Sequence, residues 1–172
     1  MKASLARLLE DEQATRQFGI QLARRLIREW PRRSGSLLLT LDGDLGAGKS
    51  TLARALLREL GVQGAVRSPT YTLVETYETR YGLVHHLDWY RLADVDEVEA
   101  LGFRDLRREA LVLVEWPSRA PELAATADLA VGLQMAGAGR LITIEGLTDA
   151  GQRVVSDLPK QPEEPPITSS FS

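Results

Sequence analysis

The chain has 172 residues, no cysteine and a formal charge of -3, from 21 Lys and Arg against 24 Asp and Glu. That length suits one domain with a real core. Without cysteine there is no disulfide, no thiol nucleophile and no thiolate metal site, and the near-balanced charge demands neither nucleic acid nor a membrane as partner. No apolar run approaches membrane-spanning length, and Glu10, Asp11 and Glu12 interrupt any secretory leader; the absence of cysteine fits the cytosol without fixing it.

Residues 1–10, with leucines at 5, 8 and 9, read either as a short edge strand or as the approach to a helix. A helix then runs from Asp11-Glu12 to about Trp30. Ala14, Phe18, Leu22 and Leu26 recur every four residues, Ala23 and Ile27 widen the stripe, and Pro31 stops it. Arg24, Arg25, Arg28, Arg32 and Arg33 crowd its far end. Helix-end electrostatics on a solvated face explains them first; a docking surface for a partner or RNA is the alternative.

The apolar run Leu37–Leu41 leads into Gly43-Asp44-Leu45-Gly46-Ala47-Gly48-Lys49-Ser50, which fits the phosphate-loop pattern G-x-x-x-x-G-K-[ST]. After it, Leu52, Leu56 and Leu60 mark one face of a helix, and Gly61 is placed to cap it. Strand, glycine loop and helix are the context the motif requires. Glycines let successive N–H groups converge on one anion, and the helix adds its positive end. Lys49 is then the group for the β- and γ-phosphates, and the Ser50 hydroxyl the group for Mg²⁺.

Ser68-Pro69-Thr70 precedes an extended run, Tyr71–Tyr77, and Leu83–Asp88 returns from a turn ending at Gly82, so the pair reads as a hairpin. Ser68 and Thr70 occupy the place of a switch loop that senses the γ-phosphate; plain loop chemistry is the other reading. His85 and His86 are adjacent in a strand, so one faces the site and the other turns away. Two histidines, no third and no cysteine argue against a histidine-based metal centre.

Asp94–Leu101 is a short acidic helix ended by Gly102, and a second short helix falls within 103–110. Leu111–Val114 is continuously apolar, as a central buried strand is, and Glu115 closes it, followed by Trp116-Pro117. Residues 121–127 form a short helix or turn. Leu129–Leu133 and Arg140–Ile144 are late strands that pair as a second hairpin. From Pro159 the composition turns to Pro, Glu and Ser, so residues 1–158 are taken as one domain and 159–172 as a flexible tail.

Ligands gather at the carboxyl ends of strands in an open α/β sheet. Three runs end there with useful groups: the phosphate loop, Asp88 and Glu115. One acid is needed beside a metal ion and one beside a nucleophile. Glu115 takes the metal side and Asp88 polarises the attacking water, although the roles can be exchanged. Against these stand an Asp88 that caps the next segment and a Glu115 paired with an arginine. Trp89, Tyr90 and Trp116 lie near both acids, as core or rim packing, as a cover for the nucleotide or as a partner surface. No Asn/Thr-Lys-x-Asp segment for guanine is present. A small-molecule or nucleotide kinase remains the alternative, with Arg104, Arg107 and Arg108 as its lid.

Four blocks in this order resemble the bacterial TsaE (YjeE) family: Glu12-x-x-Thr15-x-x-x-Gly19-x-x-Leu22-Ala23; Gly43–Thr51; Ser68-Pro69-Thr70-Tyr71-Thr72-Leu73-Val74 with His86-x-Asp88-x-Tyr90-Arg91-Leu92; and Glu115-Trp116-Pro117. The family often has threonine where this chain has Ser50. The resemblance implies an α/β P-loop NTPase fold with a mostly parallel central sheet, antiparallel hairpin additions and flanking helices. It implies a cytoplasmic, Mg²⁺-dependent ATPase of tRNA threonylcarbamoyladenosine biosynthesis, weak alone and active with the TsaD and TsaB partners, which meets tRNA only through that complex. Gly43, Asp44, Leu45, Gly46, Ala47, Gly48, Lys49, Ser50 and Thr51, with Thr15, Ser68, Thr70 and Trp116, are then the nucleotide-binding set. Asp88 and Lys49 are the catalytic pair, and Ser50 and Glu115 the metal ligands. The tail has no counterpart in the resemblance.

Overall fold

The structure, a computed structural model, describes residues 2–32 and 35–160. Arg33 and, beyond Lys160, the expected tail lie outside the described residues. The chain runs β1 (Ser4–Leu9), α1 (Glu12–Glu29), β2 (Leu37–Asp42), α2 (Lys49–Glu59), β3 (Val74–Thr79), β4 (Gly82–Asp88), α3 (Val95–Ala100), α4 (Phe103–Leu106), β5 (Leu111–Glu115), α5 (Pro121–Ala124), β6 (Leu129–Ala136), β7 (Gly139–Gly146) and α6 (Asp149–Ser156). The seven strands form one sheet in the order β1-β7-β6-β2-β5-β4-β3.

The four central strands, β6, β2, β5 and β4, are parallel neighbours. Antiparallel pairs flank them, β3 on β4 at one side and β7 then β1 at the other. This is the parallel-centred mixed sheet the sequence led us to expect, and residues 4–9 are its edge strand. Alternation along β2 separates two cores. Leu37, Leu39 and Leu41 join Phe18, Leu22 and Leu26 of α1, Leu52 and Leu56 of α2, and Val154 and Val155 of α6. Leu38 joins Val112, Val114, Trp89, Val98 and Phe103 on the opposite face. Every residue of β5 is buried, as its unbroken apolar run requires.

Local chemistry sets the helix ends. The Asp11 carboxylate accepts from the Ala14 N–H at 2.7 Å and opens α1. Asp94 accepts from the Glu97 N–H and opens α3, and Gly102 follows its end in the left-handed region.

The strand expected over Tyr71–Tyr77 begins only at Val74. Leu73 has φ 62, and its N–H donates to the Pro69 carbonyl at 2.8 Å, so residues 69–73 are a turn. The late strands are longer than expected, reaching Ala136 and starting at Gly139 around a two-residue turn. Helix α6 has no counterpart in the sequence reading.

Candidate nucleotide site

The carboxyl ends of β2, β4 and β5 meet at one cleft. Asp88 and Glu115 are direct partners across the parallel β4–β5 pair, and Glu115 is in turn paired with Leu41 of β2. The cleft has a volume of about 510 Å³. Of the nucleotide-binding residues expected from the sequence, it takes in Thr15, Leu45, Gly46, Gly48, Lys49, Ser50, Thr51, Ser68, Thr70 and Trp116, with Asp88 and Glu115. Gly43, Asp44 and Ala47 stand behind this lining. The Ala47 methyl is turned into the core, and Gly43 and Asp44 turn their carbonyls to Lys49.

Two glycines shape the loop. Gly43 has φ 149, and a Cβ there would lie 2.5 Å from the Leu133 carbonyl oxygen, so no side chain fits. Gly48 has φ 106 and hands the chain to α2 with no side-chain cap, which leaves the first N–H groups of the helix without that competitor.

Lys49 is 5% exposed. Its ammonium donates to the carbonyls of Gly43 and of Asp44, the latter at 3.0 Å, and lies 4.1 Å from the centre of the Trp116 ring. Burial pulls its pKa below the ordinary lysine value, while the carboxylates of Glu115, Asp42, Asp88 and Asp44 hold it up. Trp116 has φ 59, its ring meets Tyr90 at 4.8 Å, and its N–H donates to the Leu41 carbonyl.

Asp88 is 6% exposed. Its Oδ1 accepts from the Tyr90 N–H at 2.9 Å and its Oδ2 from the Thr70 hydroxyl at 3.4 Å. It therefore both caps the next segment and contacts the expected switch loop. Burial raises its pKa, neighbouring Glu115 adds to the rise, and the bonds from Tyr90 and Thr70 and the nearby His86 oppose it. Ser68 and Thr70 share a hydrogen bond of 2.7 Å. The partner of Glu115 is His86, through Nε2 and Oε1 at 2.8 Å, not an arginine. His85 faces away and bonds Thr76 at 2.9 Å. Thr15 is buried, its hydroxyl donating to the Asp11 carbonyl at 3.2 Å.

Arg140 is absent from the sequence-based set. From the start of β7 it donates to the loop carbonyls of Ala47 at 2.8 Å and Gly46 at 3.2 Å. No periodicity marks it, because it lies more than ninety residues from the loop it holds. Asp11, Glu12, Tyr90 and Ala138 also line the cleft.

A parallel-centred sheet flanked by helices, with a glycine loop between its central strand and the next helix, is the architecture of the P-loop NTPase superfamily. Among known chains, the family profile described as Threonylcarbamoyl adenosine biosynthesis protein TsaE matches residues 9–142. The chain belongs to the TsaE family. It is 36% identical over 154 residues to the tRNA threonylcarbamoyladenosine biosynthesis protein TsaE of Haemophilus influenzae, covering 89% of this chain and 96% of that one. It is 40% identical over 114 residues to the protein of the same name from Aquifex aeolicus, covering 65% and 76%. The fold matches the crystal structure of Bacillus subtilis YdiB with a TM-score of 0.67 at 24% identity, over 92% of this chain and 95% of the other. Among the described residues, no helix is long and apolar enough to cross a membrane.

Proposed function

We propose that this chain binds Mg²⁺–ATP in the cleft and hydrolyses it, in the cytoplasm, within a TsaD–TsaB–TsaE complex that supports threonylcarbamoylation of adenosine 37 of tRNAs. One observation carries the reading. The ends of three neighbouring strands bring a buried ammonium, Lys49, and two buried carboxylates, Asp88 and Glu115, into the same cleft as the phosphate loop. The family supports the pathway, and the names of the two relatives point to the same biosynthesis.

The donor set suits a hard divalent cation. Two adjacent buried carboxylates repel one another, which is part of why Asp88 is raised, and the Ser50 hydroxyl lines the same cleft. Ser50 and Glu115 would hold Mg²⁺, which when bound neutralises phosphate oxygens. The remaining work falls to the chain itself. Lys49 exchanges the carbonyls of Gly43 and Asp44 for the β- and γ-phosphates. The loop N–H groups and the start of α2 bind the phosphate oxygens. Asp88 accepts a hydrogen bond from the attacking water, and its raised pKa makes it the stronger base. The water oxygen bonds to the γ-phosphorus, its proton passing to Asp88, as the bond to the β–γ bridging oxygen breaks, giving ADP and phosphate. Thr70, bonded to Asp88, links this step to the 68–70 loop.

The test is phosphate release from ATP by the purified chain, alone and with the TsaD–TsaB pair. Slow release that rises with the pair supports the reading. No release under either condition, or transfer of the phosphate to a metabolite as in a kinase, overturns it.

A further inference from the structure

The mechanism leaves the buried imidazole of His86, beside the site, without a task. His86 is 3% exposed and sits on β4 two residues before Asp88, so both side chains project from the same face. Glu115 lies opposite Asp88 on β5, which puts His86 on its diagonal, within reach of a long side chain. There His86 Nε2 meets Glu115 Oε1 at 2.8 Å. Its Nδ1 is fully enclosed and has no partner among the described residues. His86 and Glu115 also share a small cavity of about 20 Å³ with Ser50, Arg67 and Ser68. That is room for one water molecule, among groups able to hydrogen-bond it.

Stability does not explain this arrangement. A buried imidazole–carboxylate pair with a polar atom unmatched costs desolvation that a packed apolar pair avoids. Its lasting consequence is geometric. A carboxylate has two oxygens, and its side chain can rotate to offer either or both. A carboxylate oxygen accepts, so the bonded Nε2 carries the hydrogen. With Oε1 held by that N–H, the carboxylate is fixed in rotation and one oxygen remains for another partner.

Building on the ATPase reading, we infer that His86 is a positioning residue for the metal side of the site. Its Nε2–H clamps Glu115 Oε1 so that Oε2 is presented, singly and in a fixed direction, to the divalent cation that accompanies the nucleotide. Hydrogen-bond partners of ligating carboxylates tune metal affinity by about 10- to 100-fold when removed. His86 touches neither phosphate nor the attacking water in this assignment; it acts through Glu115.

The experiment measures calorimetric affinity for a non-hydrolysable ATP analogue, with Mg²⁺ and with a chelator. It uses the full-length chain as wild type, His86→Leu, His86→Asn and His86→Gln. The glutamine amide nitrogen can stand where Nε2 stands, whereas the asparagine amide reaches only the Nδ1 position. We expect chelator affinities to agree within about twofold across all four chains. The gain produced by Mg²⁺ falls by about tenfold or more in His86→Leu and His86→Asn and is kept in His86→Gln. If His86→Leu fails to fold, the contrast between the two amides decides. An undiminished Mg²⁺ gain in His86→Leu overturns the inference, as does a parallel loss with and without Mg²⁺, which marks a purely structural residue.

A second readout needs no ligand. Nitrogen-resolved NMR of the nucleotide-free wild type should show a hydrogen on Nε2 of His86, and a ring protonated only at Nδ1 overturns the clamp. A wild-type chain that binds no nucleotide in either condition sinks the ATPase reading and the cation's part with it. A normal wild-type response with an indifferent His86→Leu sinks this inference alone.

Discussion

The Lys49 ammonium lies 4.1 Å from the centre of the Trp116 ring while donating to the carbonyls of Gly43 and Asp44. The loop's own carbonyls and an aromatic face thus hold the cation that, on the proposed function, nucleotide binding draws away. An ammonium over an indole face is stabilised by about 0.5–2 kcal/mol, depending on desolvation. Its departure changes the field felt by that ring. The other tryptophans are packed in the two cores, Trp30 at 4% and Trp89 at 0% exposure. ADP binding is therefore expected to change intrinsic tryptophan fluorescence, and Trp116→Phe to remove most of the change while calorimetry still registers binding. A full fluorescence response in Trp116→Phe would place the nucleotide away from this ring.

The loop is also braced from outside by Arg140, whose guanidinium donates to Ala47, Gly46 and its own neighbour Gly139. A planar fork can satisfy several carbonyls at fixed angles; a lysine cannot. Arg140→Ala is expected to weaken ADP binding by about tenfold, equivalent to about 1.4 kcal/mol. Arg140→Lys should recover only part of this. Amide exchange at residues 46–48 should quicken in the alanine variant. Unchanged affinity together with unchanged exchange would remove the brace.

The central motif was legible because its chemistry is local. Gly43–Ser50 needs only neighbours in sequence, and Glu115 announces itself as the carboxylate that closes the unbroken apolar run Leu111–Val114. What brings Asp88 and Glu115 side by side is the β4–β5 register, which strand periodicity alone does not specify. Alternation separated His85 from His86 without saying which faced inward. Helix α6 went unread for a similar reason. It has eight residues with adjacent valines, Val154 and Val155, that favour strands, and its start depends on a distant contact. The Thr148 hydroxyl accepts from the Gly151 N–H and donates to Asp128, twenty residues away, at 2.7 Å. Asp128 in turn accepts from the Leu38 N–H of β2 at 2.9 Å.

That chain of bonds makes Thr148 a stability residue remote from the cleft. Thr148→Ala removes a helix cap, a loss of about 0.5–2 kcal/mol, and one donor to a buried carboxylate. Urea unfolding of the full chain should show an unfolding free energy lower by that amount at an unchanged slope, with Thr148→Ser close to wild type. Nucleotide affinity measured under native conditions should stay within about twofold. A Thr148→Ala chain as stable as the wild type would show that α6 is held by its apolar face alone.

Asp88 carries the opposite trade. Burial and Glu115 raise its folded pKa above that of the unfolded chain. Between the two values the folded state binds more protons than the unfolded one, so stability falls as pH rises through that window. Above the folded pKa the penalty is full, and below the unfolded value it vanishes. Asp88→Asn keeps an oxygen for the Tyr90 N–H and carries no charge. Its thermal midpoint is therefore expected to exceed that of the wild type at neutral pH, and the difference to shrink as pH falls towards the ordinary carboxylate range. Partner-stimulated ATP hydrolysis should fall by about 10²- to 10⁴-fold with loss of the base, while Mg²⁺–nucleotide binding persists. A midpoint lower than wild type at neutral pH would mean that the bonds from Tyr90 and Thr70 outweigh the cost of burial. Undiminished hydrolysis would move the water-activating role away from Asp88.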